Sequence, residues 1–129
     1  MIYEQKTGTF TIDDGTRAEG YSGNGEGLNN PAMQAVKGHG PIPQGLYTIA
    51  PPHADPVVGP VAMRLEPDPT NEMFGRGDFL IHGDNSEGNF SASEGCIILA
   101  HDVRVKIAGH VLEGENKLHV IGEQNDDPA

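Results

Sequence analysis

The sequence predicts a mostly β fold, a sheet sandwich or partly open barrel carrying one short helix. Three observations lead there. Glycine (18) and proline (10) are abundant among 129 residues, a composition of many turns and short strands. The apolar runs are short and β-prone, as in Phe79-Leu80-Ile81 and Ile97-Ile98-Leu99. Only one segment, about Asp102 to Val111, has helical spacing, with Val103, Ile107 and Val111 four apart on one face.

Taken in order, Ile2–Gln5 and Thr9–Ile12 read as a hairpin around Lys6-Thr7-Gly8, with a second turn at Asp13-Asp14-Gly15. Arg17–Ser22 reads as a third strand. This meander is polar at alternate positions and is expected to cover one side of a sheet. Residues 23–31 are too rich in Gly and Asn for regular structure, and no Gly-Lys-Ser/Thr ending marks them as a phosphate cradle. Pro31–Val36 predicts one or two helical turns with Asn30 as N-cap. Gly45–Ala50 is a strand with Tyr47 and Ile49 on one face. Pro51–Pro60 is a Pro-rich loop, Val61–Leu65 a strand, and 66–78 an irregular loop. Leu118–Ile121 closes the fold. One catalytic domain is expected over 1–122, with a flexible acidic tail over 123–129.

The formal charge of −11 argues against a nucleic-acid binder, which needs a basic face for phosphates, and against electrostatic docking on an anionic membrane. No apolar run is long enough to span a bilayer, and the first residues lack the basic and apolar regions of a secretory signal. The single cysteine excludes an intrachain disulfide.

That cysteine is the centre of the functional argument. Phe79–Ile81 places His82 at the end of a buried strand. A Gly- and Asn-rich loop follows, and Ser93-Glu94-Gly95-Cys96 turns into the next apolar run. This brings His82 and Cys96 side by side, the minimum equipment for a thiol nucleophile and its base. Gly95 allows the backbone to turn so that N–H groups near Cys96 face an oxyanion. The structural alternative is that Cys96 is a small buried hydrophobe. Fast alkylation near neutral pH is the expected mark of a catalytic thiol.

The residues Ile-His-Gly at 81–83 and Ser-x-Gly-Cys at 93–96 resemble the active-site motif of YkuD-like L,D-transpeptidases, with Glu94 where the wider family has a second histidine. Together with residues 21–31, 40–49 and 66–85, they resemble a narrower branch. Its members are small L,D-transpeptidase-like toxins that bacteria deliver through type VI secretion. The resemblance runs from about Tyr3 to about Val120. It implies that Cys96 attacks the L,D bond of a peptidoglycan tetrapeptide stem, before the terminal D-alanine. Carboxypeptidase and exchange reactions would then damage a rival's wall. It also implies secretion without a signal peptide, action in the target's periplasm, a periplasmic immunity protein, and a secretion-apparatus component or chaperone as partner. No cofactor is implied.

The remaining candidates each carry a functional and a structural reading. Arg76 is a carboxylate anchor for stem peptides or a surface ion pair. Asp84 orients His82, holds a substrate amine, or caps the loop after Gly83. Ser93 ties its own loop or faces the cleft. His39 is a second polar group at the cleft or an exposed loop residue. The resemblance adds Gly83, and it adds Tyr47 through the Pro-x-Gly-x-Tyr-x-Ile spacing of a strand beside the active site. A zinc site from His82, Asp84 and Cys96 and a non-catalytic wall-binding or phage-structural domain are the alternatives. No metal is expected.

Overall fold

The computed structural model describes residues 1–123. Ten strands and one helix follow in chain order. They are β1 (Ile2–Glu4), β2 (Thr9–Thr11), β3 (Arg17–Glu19), β4 (Tyr21–Ser22), β5 (Gly45–Ile49), β6 (His53–Asp55), β7 (Gly59–Pro67), β8 (Leu80–His82), β9 (Ile97–Ile98), α1 (His101–Leu112) and β10 (Lys117–Ile121). The strands run β3-β2-β1-β10-β5-β7-β8-β9-β4, with β6 paired to β7. The first and last members of that path, β3 and β4, are joined by one residue, Gly20. The sheet therefore curls until its two edges meet, giving a nearly closed barrel with one helix, the mostly β fold that the composition predicts.

Gly20 permits the closure. Its N–H donates to the Gly8 carbonyl at 2.8 Å, tying it to the first hairpin. A Cβ there would lie 2.1 Å from the Ile98 carbonyl oxygen and 2.6 Å from the Leu99 side chain. The backbone of β9 thus approaches too closely for any side chain. The predicted strand over Arg17–Ser22 is accordingly two strands, split where the chain passes from one end of the path to the other.

Cross-strand partners build the core. Tyr3 opposes Val120, Leu118 opposes Tyr47, Ile49 opposes Leu65, Met63 opposes Ile81, and Ile81 opposes Ile97. All are buried, so one face of alternate residues forms a continuous apolar lining. Helix α1 packs against β7 and contributes Ile107, Ala108 and Val111 to the core.

Several local expectations change. The opening meander does not cover one side of a sheet but is part of the sheet, joined to β10 through β1, and Tyr3 and Phe10 on its apolar positions are fully buried. The Pro-rich loop contains β6, which pairs with an extended β7 through an irregular register. The helical turns expected over Pro31–Val36 shrink to one 3-10 turn, Pro31–Met33, capped by the Asn30 side chain as expected. The acidic tail lies outside the described residues except Glu123, which pairs with Lys6 at 3.3 Å.

Two glycine substitutions test this account. Gly20→Ala forces an overlap with backbone and should cost about 1–3 kcal/mol or more. Gly109→Ala lies in exposed helix with nothing near its Cβ and should add roughly 0.5–1 kcal/mol. Urea midpoints moving in opposite directions are the expected result.

Candidate active site

Strands β8 and β9 are parallel, with Ile81 opposite Ile97 and His82 opposite Ile98. A parallel pair needs a long return, which the connection from Gly83 to Cys96 supplies. The register sets Cys96 beside Leu80, two residues short of the His82 position. At about 3.3 Å per residue the offset along the strands is roughly 7 Å, and alternation puts both side chains on one face. They line one cleft of about 420 Å³, together with Lys37, Gly38, Val57, Val58, Asp78 and Glu94. The thiol and imidazole thus share a site, although no hydrogen bond joins them.

His82 is 4% exposed. Its Nδ1 lies 2.8 Å from the Gly83 carbonyl oxygen. Only a protonated Nδ1 makes that bond, so the neutral ring keeps Nε2 as its acceptor. Burial pushes the His82 pKa down, against the pull of the Gly83 carbonyl. The imidazole is therefore uncharged at neutral pH and able to take a proton.

Burial pushes the Cys96 thiol up; the Leu80 N–H opposes this and the Glu94 carboxylate adds to it. The Leu80 N–H donates to Sγ at 3.4 Å. Both partners thus rest neutral, as a thiol and an imidazole. A thiol raised in this way is expected to alkylate slowly near neutral pH, so the rate alone does not separate a catalytic Cys96 from a buried small hydrophobe.

The turn that presents Cys96 is held from inside. Ser93 is fully buried. Its hydroxyl donates to the Cys96 carbonyl at 2.5 Å and accepts from the N–H groups of Gly23 at 2.9 Å and Gly95 at 3.0 Å. Ser93 ties its loop, and does not face the cleft. The Gly95 N–H is spent on Ser93 and is not free for an oxyanion, whereas the Cys96 N–H has no intramolecular partner among the described residues. Gly95 is required sterically. Its φ is +136°, and a Cβ would lie 2.5 Å from the Phe79 ring and 2.7 Å from an Arg76 nitrogen.

Arg76 is no carboxylate anchor. It is 7% exposed. Nη1 donates to the Gln34 and Pro41 carbonyls at 2.6 and 2.8 Å, and Nη2 to those of Gly40 and Glu94 at 3.0 and 2.9 Å. These four bonds use the four Nη hydrogens, leaving no fork for a substrate. The guanidinium also lies over the Phe79 ring, 5.2 Å from its centroid.

Three further candidates belong elsewhere. Asp84 accepts from the Tyr21 hydroxyl at 2.7 Å and its neighbour's N–H at 2.9 Å, which is the loop-capping reading. His39 is exposed and bonds Asn24 at 2.9 Å. Tyr47 is buried in the core with its hydroxyl on the Pro43 carbonyl at 2.7 Å; it does not line the cleft. Gly83 positions rather than binds: its carbonyl holds His82, and its missing Cβ admits Arg104, whose Nη2 would lie 2.6 Å from one. Among the described residues no group of three His, Cys, Asp or Glu is arranged to hold a metal ion.

Sequence reasoning passed over Ser22 and Asn24. The Ser22 hydroxyl donates to the Gly95 carbonyl at 2.8 Å and accepts from the Ile42 N–H at 2.9 Å. The Asn24 amide donates to the carbonyls of Gly38 and Ser93, both at 2.8 Å. Their signal was the irregular stretch 21–31, dense in short polar residues without being a repeat.

Two measurements follow. The iodoacetamide rate of Cys96 should stay low at pH 7 and climb only above the ordinary thiol pKa of about 8.5. Glu94→Gln removes a charge that disfavours the thiolate, so its profile should move to lower pH. Arg76→Lys cannot replace four planar bonds and should cost about 2–5 kcal/mol in urea unfolding.

No curated protein matches this sequence. Residues 16–123 match the family model described as the Tlde1 domain, a span that includes β3 to β10 and every residue of the cleft. The chain belongs to the Tlde1 domain family, an L,D-transpeptidase-like family of type VI secretion effectors with peptidoglycan-targeting activity.

Proposed function

We propose that the protein is a cysteine-dependent L,D-carboxypeptidase that also exchanges D-amino acids on peptidoglycan tetrapeptide stems, in the manner of YkuD-like L,D-transpeptidases. The observation that carries this reading is the placement of Cys96 and His82 in one cleft, with His82 Nδ1 held by the Gly83 carbonyl and Nε2 left to accept a proton.

In this mechanism Nε2 removes the thiol proton as Sγ attacks the carbonyl before the terminal D-alanine. General-base transfer suits a pair that rests neutral, because no thiolate has to be stored in a buried site. The Cys96 N–H meets the developing oxyanion. The tetrahedral intermediate collapses, the C–N bond breaks, and imidazolium returns the proton to the departing D-alanine amine. A thioester remains. Water, deprotonated by His82, releases the tripeptide; a D-amino acid amine gives exchange instead.

The site of action in this reading is the periplasm of a rival bacterium, reached by type VI secretion. A producer that meets its siblings then needs a periplasmic immunity protein that covers the cleft. The Gly83–Phe90 loop and the exposed Val57 offer it contacts, whereas Arg76 is buried beneath the turn.

The test compares cytoplasmic and periplasmic expression in a Gram-negative host, with muropeptides quantified. Periplasmic protein should round or lyse cells and deplete tetrapeptides; cytoplasmic protein should be harmless. Cys96→Ala and His82→Ala should each reduce D-alanine release by at least about 100-fold, while His53→Ala and His119→Ala leave it unchanged. Equal toxicity in both compartments, or an unaltered tetrapeptide pool, would overturn the assignment.

A further inference from the structure

The protein has eight lysines and arginines, and their partners can be followed individually. Lys6 meets Glu123, Arg17 meets Glu4, Arg64 meets Glu66 and Asp78, and Lys106 meets Asp14. Lys117 donates to Thr48. Arg76 and Arg104 donate to backbone carbonyls. Among the described residues Lys37 is the one cation with neither an ion pair nor a hydrogen bond. It is exposed, and it lines the cleft of Cys96 and His82.

Glu94 lines the same cleft. Its side chain has no ion pair or hydrogen bond among the described residues, although its backbone carbonyl is held by Arg76. One carboxylate oxygen lies 3.8 Å from where a Cβ on Gly38 would sit, which sets it beside the residue following Lys37. The two opposite charges nevertheless do not pair with each other. The other two charged residues lining the cleft are engaged: Asp78 meets Arg64 at 3.1 Å, and Arg76 donates to backbone carbonyls. In a chain with 8 lysines and arginines against 19 aspartates and glutamates, an ammonium with neither an ion pair nor a hydrogen bond stands apart.

We propose that Lys37 and Glu94 are the two poles of a subsite for a group that carries an ammonium and a carboxylate on one carbon. Lys37 takes the carboxylate and Glu94 the ammonium. A zwitterion satisfies both without bringing net charge into the cleft, and each contact is a charge-assisted hydrogen bond. Glu94 thus has a recognition role at a position without a catalytic histidine. Two sources supply such a group. One is the side-chain end of a diamino-dicarboxylic acid at the third stem position; the other is a free D-amino acid. The choice of these probes rests on the peptidoglycan reading.

The experiment measures binding to the Cys96→Ala protein, which separates recognition from chemistry. Two synthetic tetrapeptides differ only at the third residue: one has meso-diaminopimelate, ending in the zwitterion, and the other L-lysine, ending in an ammonium alone. The diaminopimelate stem should bind about tenfold more tightly. Lys37→Met in that background should abolish the preference by weakening only the diaminopimelate stem. Glu94→Gln should weaken both stems. Both residues are exposed and unpaired, so neither change threatens the fold, and unchanged unfolding midpoints check this. If D-alanine competes with the lysine stem, and Lys37→Met removes the competition, the free amino acid is the occupant. Equal affinities for the two stems with no D-alanine competition, equal losses on Lys37→Met, or no binding of either stem would overturn the subsite. Failure of the cysteine chemistry shows separately, as bound stem from which the wild-type protein releases no D-alanine.

Discussion

The buried Arg76 guanidinium is the interaction on which the cleft depends. Four backbone carbonyls, from Gln34, Gly40, Pro41 and Glu94, converge on its two terminal nitrogens, and Phe79 closes one of its faces. These carbonyls come from two loops with no strand pairing between them. Without a cation, four acceptors would face one another in a place closed to water, and an unsatisfied buried acceptor costs about 1–3 kcal/mol. The charge thus turns a set of mutually repelling dipoles into a joint. It fixes the Cys96 turn from one side while Ser93, Ser22 and Asn24 fix it from the other.

The absence of a side chain at Gly95 follows from this joint. Arg76 and Phe79 occupy the space a Cβ would need, and the left-handed φ excludes most other residues independently. The turn is therefore held in one geometry, which is what the proposed nucleophile, with its raised pKa, would require. A thiol that rests protonated cannot rely on a standing population of thiolate. In the proposed reaction it would depend instead on geometry, with His82 lining the same cleft as the thiol.

The same economy governs His82. Its orienting partner is the carbonyl of the next residue, a neutral acceptor that sets the tautomer without adding a charge to a buried site. A carboxylate there would raise the imidazole pKa and favour the charged ring. Asp84 is close in sequence but accepts from the Tyr21 hydroxyl, and its charge raises the His82 pKa less than burial lowers it.

Much of this was legible in the sequence. The hairpins, the β5 and β10 strands, the helix and the abundance of turns follow from local pattern, because alternation and four-residue spacing are properties of neighbouring residues. His82 and Cys96 could be paired because a short apolar strand stands at each, and the Ser-x-Gly-Cys run marked the turn. What tertiary structure decided was the partner of every polar group. Arg76, Asp84, Ser93, Gly95 and Tyr47 are residue types that serve a substrate or a scaffold equally well. The difference lies in which groups fill their hydrogen-bonding capacity, many of them far away in the chain, as Gln34 and Gly40 are from Arg76, Tyr21 from Asp84, and Gly23 from Ser93. The parallel pairing of β8 with β9, and the closure of the sheet at Gly20, are likewise long-range facts, since strand direction and edge contact depend on where the chain returns and not on what any one segment prefers.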